Sequence, residues 1–433
     1  MGLGLLGRGL QDAEFFAKEG AEVLVTDLKS KEQLAASIEK LKAHANITYV
    51  LGEHRLEDFR DRDLVLKAAG VPLDSPYIAE AKKHTIPVVM DASLFAELAP
   101  EAILIGITGT RGKTTTTSLI YEIVKKAFEK TAQGVYLAGN IRGAATLPLV
   151  DKVKKGDIVI LELDSWQLQG FGEAKISPHI AVFTTFMNDH MNYYKGDVEK
   201  YLDDKANIFI NQKQKDFFIT SPSVAHLVTA KYFGKLFHNP IVADGSLVPQ
   251  EWQILIPGEH NRDNIALALE VARTLHIPEK ISKEVIEHFS GVEGRLQFVK
   301  KYKGISIYND TTATTPDATV VGLKALSKNK NVVLIMGGTD KMLDMAKLTE
   351  ALPQYAKAVI LLHGTGSAKL DFLHTGIVPI TVESLKDAFS QALLLADEGD
   401  VILFSPAFAS FGMFKNEYDR GDQFMELVNS LHE

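Results

Sequence analysis

The 433-residue chain contains no cysteine, so it has neither a disulfide framework nor a thiolate nucleophile, which fits a reducing cytoplasm. No stretch approaches the eighteen or so consecutive apolar residues that a membrane span requires, and the first residues lack the charged–apolar–small pattern of a secretion leader. Basic residues are not in excess either. Lys and Arg total 47 against 55 Asp and Glu, giving a net charge of −8, which argues against nucleic acid as a partner. The expectation is a cytoplasmic monomer without nucleic-acid or membrane partners. Any anionic ligand must be held by local devices: helix N-termini, glycine turns and single lysines.

What is present is a rhythm. "AEVLVTDL", "DLVLKAAG" and "IPVVMD" read as buried parallel strands between helices such as "LQDAEFFAKEG" and "SKEQLAASIEKLKAHA". The rhythm restarts at "AILIGITG", "GDIVILELD" and "HIAVFTTF", gives way to a helical "GEHNRDNIALALEVARTLHI", and restarts again at "GISIYND", "NVVLIMGG", "AVILLHGTG" and "DVILFSP". Length and pattern together predict an α/β protein of three domains, at 1–92, 93–292 and 293–433, each with its own sheet.

Two glycine turns stand out. Gly2, Gly4 and Gly7 fit G-x-G-x-x-G, with Asp27 at the distance of a ribose-binding acid, the fingerprint of a dinucleotide-binding βαβ unit. That fingerprint requires a strand before the first glycine, and only Met1 precedes it. Met1 therefore reads as an internal methionine of a longer gene product, or the strand has been lost. The second turn is "GITGTRGKTTTT", residues 106–117, which follows a predicted strand and opens a predicted helix. The backbone N–H groups of Gly109, Thr110, Arg111 and Gly112 would converge on an anion, Lys113 would reach the β- and γ-phosphates, and the Thr114 hydroxyl would ligate Mg²⁺. The strict P-loop pattern puts a glycine at position 107, where this chain has Ile. A plain strand-closing turn is the bland alternative, but Gly-Lys-Thr in this context marks an ATP site.

Downstream, Glu162 in "VILELDSWQLQGF" falls at a strand end, placed to hold a magnesium ion or to be an ordinary strand-end acid. His190 and Lys205 follow another strand. Taken singly, such a histidine is usually a structural hydrogen-bonder and such a lysine a solvated charge.

Together, "TGTRGKTTTT", "ELDSWQLQ", "SPHIAVFTTFMNDHMNYY", "GEHNRDNIALAL", "NDTTATTPDAT" and "SPAFASFGMFKNEYDRGDQF" occur in the order seen in the Mur ligases. The resemblance covers essentially the whole chain and is strongest to the D-glutamate-adding members. It implies a Rossmann-like N-terminal domain for the uridine nucleotide, a central P-loop ATPase-like, mostly parallel sheet, and a Rossmann-like C-terminal domain. It implies an ATP-dependent ligase that joins D-glutamate to UDP-N-acetylmuramoyl-L-alanine through an acyl phosphate in peptidoglycan precursor synthesis. Lys113, Glu162, His190 and Lys205 would be catalytic, with two Mg²⁺ ions held by Thr114, Glu162, His190 and a Lys205 carbamylated by CO₂. Beyond the loop and Thr115, Asn261, Asn264, Arg295 and Asp310 would contact ATP. Leu5, Leu6, Asp27, Lys29 and Gly70 would contact the uridine nucleotide, and Asn140 the muramoyl or acyl-phosphate region. Thr314, Lys341, Ser410 and Phe411 would hold D-glutamate.

The chain departs from the family pattern at several positions. Ala68-Ala69-Gly70 replaces Ser-Pro-Gly, Arg142 is unexpected beside Asn140, Thr312 replaces a lysine, and Glu417 stands where an aromatic residue is common. Alternatives therefore remain: a ligase for another amino acid, a folylpolyglutamate-type ligase, or a non-catalytic uridine-nucleotide binder. A nicotinamide dehydrogenase would explain the first thirty or so residues alone and leave Lys113 idle.

Overall fold

The computed structural model describes residues 1–4, 7–141, 143, 146–190, 193–373 and 375–431. The chain forms two compact units, Met1–Val248 with Asp263–Val285, and Pro249–Arg262 with Ile286–Glu433.

The first unit opens with helix α1 (Arg8–Lys18), strand β1 (Val23–Asp27), α2 (Ala35–Leu41) and β2 (Ile47–Leu51). There follow β3 (Val65–Leu66), α3 (Pro76–Lys83), β4 (Val88–Val89) and α4 (Asp91–Leu98). The strands form two parallel pairs, β1 with β2 and β3 with β4. One sheet was expected here. Residues 1–3 account for the difference. Gly2 N donates to Thr26 O at 2.8 Å on one side, while Met1 N donates to Leu66 O and Ala68 N to Met1 O, both at 2.9 Å, on the other. This short segment lies between the two pairs and takes the place of the strand that the glycine fingerprint demands. It is too brief for a ladder of its own, but Met1 N, Gly2 N and Met1 O are paired as a strand's groups would be.

The larger sheet of this unit is six-stranded and wholly parallel, in the order β10-β9-β8-β5-β7-β6. Its strands are β5 (Ile103–Thr108), β6 (Val135–Gly139), β7 (Ile158–Glu162), β8 (Ile180–Phe183), β9 (Phe217–Thr220) and β10 (Ile241–Val242). The helices after α4 are α5 (Lys113–Phe128), α6 (Ser165–Ala174), α7 (Val198–Ala206), α8 (Pro222–Tyr232), α9 (Glu259–Thr274) and α10 (Glu279–His288), the last two lying partly in the second unit. β7 and β8 are buried at every residue, as apolar runs without alternation predict for a sheet covered on both faces. Their C-terminal ends carry the site.

The second unit holds a mixed six-stranded sheet, β11-β12-β16-β13-β14-β15, parallel except for the edge strand β11. It is built from β11 (Gln297–Tyr302), β12 (Ile305–Asn309), α11 (Pro316–Leu326), β13 (Val332–Gly337), α12 (Ala346–Tyr355), β14 (Ala356–Leu362), β15 (Ile380–Val382), α13 (Leu385–Leu395), β16 (Val401–Phe404) and α14 (Glu417–Asn429). Apolar clusters lie on both sheet faces, one around Leu334, Met336 and Leu403, the other around Ile335, Ile360 and Phe404. The architecture is α/β, with a parallel central sheet and a mixed C-terminal one. Among the described residues no helix is long and apolar enough to cross a membrane.

Candidate active site

The site is assembled where β5, β6, β7 and β8 end. β5 leads into Gly109, which adopts φ +149°; a Cβ there would collide with Thr184 Oγ1 beyond β8. Gly112, at φ +83°, caps α5, and a Cβ on it would collide with Asn264 Oδ1. Both glycines therefore serve backbone conformation and close approach together. Gly106 does something else: it lies within β5, where a Cβ would collide with Pro178.

The loop is pinned to the next strand. Thr110 N donates to Thr185 O at 2.7 Å and Arg111 N to Thr185 Oγ1 at 2.9 Å. Lys113 is the first residue of α5, and its ammonium donates to the carbonyls of Gly109 at 3.0 Å and Thr110 at 3.2 Å, folding over the turn. Thr114 and Thr115 follow in the first helical turn, half-buried.

Lys205, in the last turn of α7, is 1% exposed. Its ammonium donates to Gly109 O at 2.9 Å and Thr108 Oγ1 at 3.3 Å and lies over the Tyr201 ring. Burial drives its pKa well below the usual lysine range, and the Lys113 charge adds to that. Burial likewise lowers the His190 imidazole, with Lys113 and Lys205 pushing in the same direction against Asp189. His190 has a left-handed backbone, φ 56°, and packs its ring on Trp166 at 4.8 Å. Lys113, His190 and Lys205 thus fall within one electrostatic neighbourhood.

Glu162 ends β7, in register with Ile107 of β5 and Gly139 of β6, and is 2% exposed. Its Oε1 accepts from Asn140 Nδ2 at 3.4 Å, while its Oε2 is buried with no hydrogen-bond partner among the described residues. An orphaned carboxylate oxygen at a strand end suits a cation. Among the described residues no three His, Cys, Asp or Glu side chains stand together as a metal cage. A single buried carboxylate with a free oxygen suits Mg²⁺, which is commonly held by one or two carboxylates plus the phosphates of a substrate.

The remaining expected residues divide by location. Asp27 is buried, and its two oxygens accept from the backbone N–H groups of Gly4 and Lys29, each at 2.9 Å. Lys29 is half-buried and Gly70 exposed; Leu5, Leu6 and Arg142 lie outside the described residues. Asn264 accepts from Thr116 of α5 at 3.3 Å, within the first unit. In the second unit, Asn261 donates to Pro257 O at 2.7 Å and lies inside the first turn of α9. Arg295 is exposed. Burial pushes Asp310 up to about 7, and its carboxyl accepts from Leu296 N at 2.9 Å and Ser405 Oγ at 2.7 Å. Lys341 Nζ donates to Thr314 Oγ1 at 2.9 Å; Ser410 is buried and Phe411 exposed. Of the departures, Thr312 bonds the Gly294 carbonyl through both its N–H and its hydroxyl, and Glu417 opens α14, its carbonyl accepting from Thr311 Oγ1.

Sequence reasoning missed three cations. Arg420 is fully buried, burial pulls it down to about 10, and it clamps Thr311 O, Thr311 Oγ1 and Phe408 O. Lys67, which burial pushes down to about 8, donates to Val71 O; its only signal was a lysine closing an apolar run. Arg8 bonds Asn140 at 3.1 Å, and nothing local in the sequence announces that contact.

Three family models match this chain: the Mur ligase MurD-like N-terminal domain over residues 1–90, the Mur ligase middle domain over 107–230, and the Mur ligase glutamate ligase domain over 294–408. Among its relatives is a UDP-N-acetylmuramoylalanine–D-glutamate ligase of Borreliella burgdorferi, 35% identical over all of this chain and 97% of the relative. Proteins of the same name in Roseiflexus sp. and Clostridioides difficile are 34% and 32% identical, covering 100% and 99% of this chain and 98% of each relative. Among solved structures, the UDP-N-acetylmuramate–alanine ligase of Thermotoga maritima aligns with a TM-score of 0.61 at 20% identity, over 99% of this chain and 98% of its own. FolC of E. coli, in complex with DHPP and ADP, aligns at 0.56 and 19% identity, over 84% and 99%. At those identities the likeness is one of fold.

Proposed function

The chain belongs to the Mur ligase family, and we propose that it joins D-glutamate to UDP-N-acetylmuramoyl-L-alanine at the expense of ATP. The observation that carries this reading is the closed glycine loop at the head of α5, set beside a buried carboxylate with one unpaired oxygen. A pure binder of uridine nucleotides has no use for that pairing. The three segments 1–92, 93–292 and 293–433 are assigned to the uridine nucleotide, to ATP and to the amino acid.

A carboxylate is a poor electrophile. In the first step an oxygen of the substrate's terminal alanine carboxylate attacks the γ-phosphorus of ATP; a new O–P bond forms, the β–γ bridge breaks and ADP leaves. The amine of D-glutamate then attacks the acyl carbon, loses a proton, and expels inorganic phosphate. The first step brings two anions together, so the repulsion between them must be offset. Lys113 swings its ammonium from the loop carbonyls to the phosphates, and the N–H groups of the first turn of α5 supply further donors; those of Thr110 and Arg111, expected to join them, are already given to Thr185. Mg²⁺, held by Thr114, Glu162 and His190 with phosphate oxygens, would neutralise charge on the phosphoryl group.

An ammonium at Lys205 would repel that cation. We include in the proposal that Lys205 reacts with CO₂, its amine nitrogen bonding to carbon and losing a proton, to give an anionic oxygen ligand. Burial favours the uncharged amine that this addition requires. In the second unit, Lys341 with Thr314, Ser410 and Phe411 receives the non-reacting carboxylate of D-glutamate, and Arg295, Asp310 and Asn261 serve the nucleotide, as Asn264 does in the first unit. In the first, Asp27, Lys29 and Gly70 serve the uridine nucleotide and Asn140 the acyl-phosphate region.

The test is ADP release with UDP-N-acetylmuramoyl-L-alanine and, in turn, D-glutamate, L-glutamate, L-lysine and diaminopimelate. Turnover with D-glutamate alone is expected. Turnover with another of these, or with none, overturns the assignment.

A further inference from the structure

Helix α1 begins in an unusual way. Its N-cap, Gly7, is left-handed at φ 92° and supplies no capping side chain, and the first turn holds no acidic residue. The first helical residue is instead Arg8. A cation at this end faces the positive pole of the helix dipole, an unfavourable placement. The groups that answer it are Asp12, one turn along the same helix, and two from elsewhere in the chain, Asp91 and Asn140. The buried carboxyls of Asp12 and Asp91 lie within its field, and its Nη2 donates to Asn140 Oδ1 at 3.1 Å, across 132 positions of sequence.

That contact has a consequence at the other end of the amide. Arginine only donates and a carboxylate only accepts, so an asparagine lying between them satisfies both in one orientation: Oδ1 towards Arg8, Nδ2 towards Glu162. Asn140 adopts this orientation, with Nδ2 at 3.4 Å from Glu162 Oε1 and its own N–H on Glu162 O at 2.7 Å. Gly139 permits the approach, at φ +87°, since a Cβ there would collide with the Glu162 carbonyl. With Oε1 engaged, Oε2 is the oxygen left buried and unpaired.

We propose that Arg8 is a positioning residue which, by fixing the Asn140 amide, sets which oxygen Glu162 offers to the nucleotide-bound cation. This rests on the ligase reading for the cation and on geometry alone for the relay. Arg8 thereby links the glycine turn at the head of α1 to the phosphate end of the site.

Two readouts test the two parts separately. In protein labelled with ¹⁵N-asparagine, the Asn140 side-chain amide pair is identified by its loss in Asn140→Ala. Arg8→Leu should shift that pair and speed its exchange with water, and Arg8→Lys should restore part of the wild-type signal. An Asn140 pair indifferent to Arg8→Leu overturns the proposal. Mn²⁺ affinity in the presence of a non-hydrolysable ATP analogue, followed by water-proton relaxation, should fall about tenfold in Arg8→Leu. The double variant with Asn140→Ala should bind no more weakly than Asn140→Ala alone. Losses that multiply would mean Arg8 acts independently of Asn140 and would also overturn it. A wild-type protein that binds no Mn²⁺ with nucleotide would sink the cation reading, while the amide signal would still decide whether Arg8 orients Asn140.

Discussion

The two glycine turns of the first unit look alike in sequence and differ in what surrounds them. At the head of α5, the Cβ positions of Gly109 and Gly112 are already filled, by Thr184 and Asn264. At the head of α1, Gly4 and Gly7 also have positive φ, but among the described residues a Cβ on Gly4 would meet nothing within 4 Å and one on Gly7 would just touch Gln11. One turn is wedged into a fixed cradle; the other is shaped by dihedral angles and by the Asp27 carboxylate that accepts from Gly4 N. Glycine turns of different spacing thus head the two helices, one with its Cβ positions filled and one open at Gly4 among the described residues. A G-x-G-x-x-G pattern reports the geometry of anion binding and is silent on the chemistry that follows.

Substitutions that strike the wedged turn should cost most. Lys205→Ala is expected to abolish nearly all ADP release, with added acetate or formate restoring part; a fully active variant would remove Lys205 from the mechanism. Lys113→Ala should lower kcat by about a thousandfold without changing the melting curve. Gly109→Ala should destabilise the protein by about 3 kcal/mol, because a forbidden φ and an overlap with Thr184 add together; chemical denaturation measures this. At the open turn the effects shrink. Asp27→Ala should raise the KM for the uridine substrate about tenfold through the loss of a charge-assisted hydrogen bond, with kcat held. Gly4→Ala should cost only about 1 kcal/mol. If Gly4→Ala proved more destabilising than Gly109→Ala, the comparison would be reversed.

Much of this was legible in the sequence, for physical reasons. β5, β7, β8, β13, β14 and β16 are largely buried runs, and continuous apolar sequence announces them. β2, β11 and β15 were harder to see because their residues are mostly part-exposed, and polar residues blur the pattern. Glu162 and Lys113 were readable because motif and strand end coincide. The two-sided pairing of residues 1–3 was not legible, since so short a segment leaves no periodicity to detect. Arg8, Lys67 and Arg420 were invisible for a further reason: each is defined by partners that only folding brings near, and a lone basic residue in sequence reads as a surface charge.

In the proposed reaction the carboxylate of the uridine substrate is phosphorylated at the Lys113 cradle. That is read directly by labelling both oxygens of this carboxylate with ¹⁸O, running the reaction with D-glutamate and examining the released phosphate by ³¹P NMR. An acyl-phosphate route transfers one ¹⁸O to each phosphate. Phosphate free of label would contradict it.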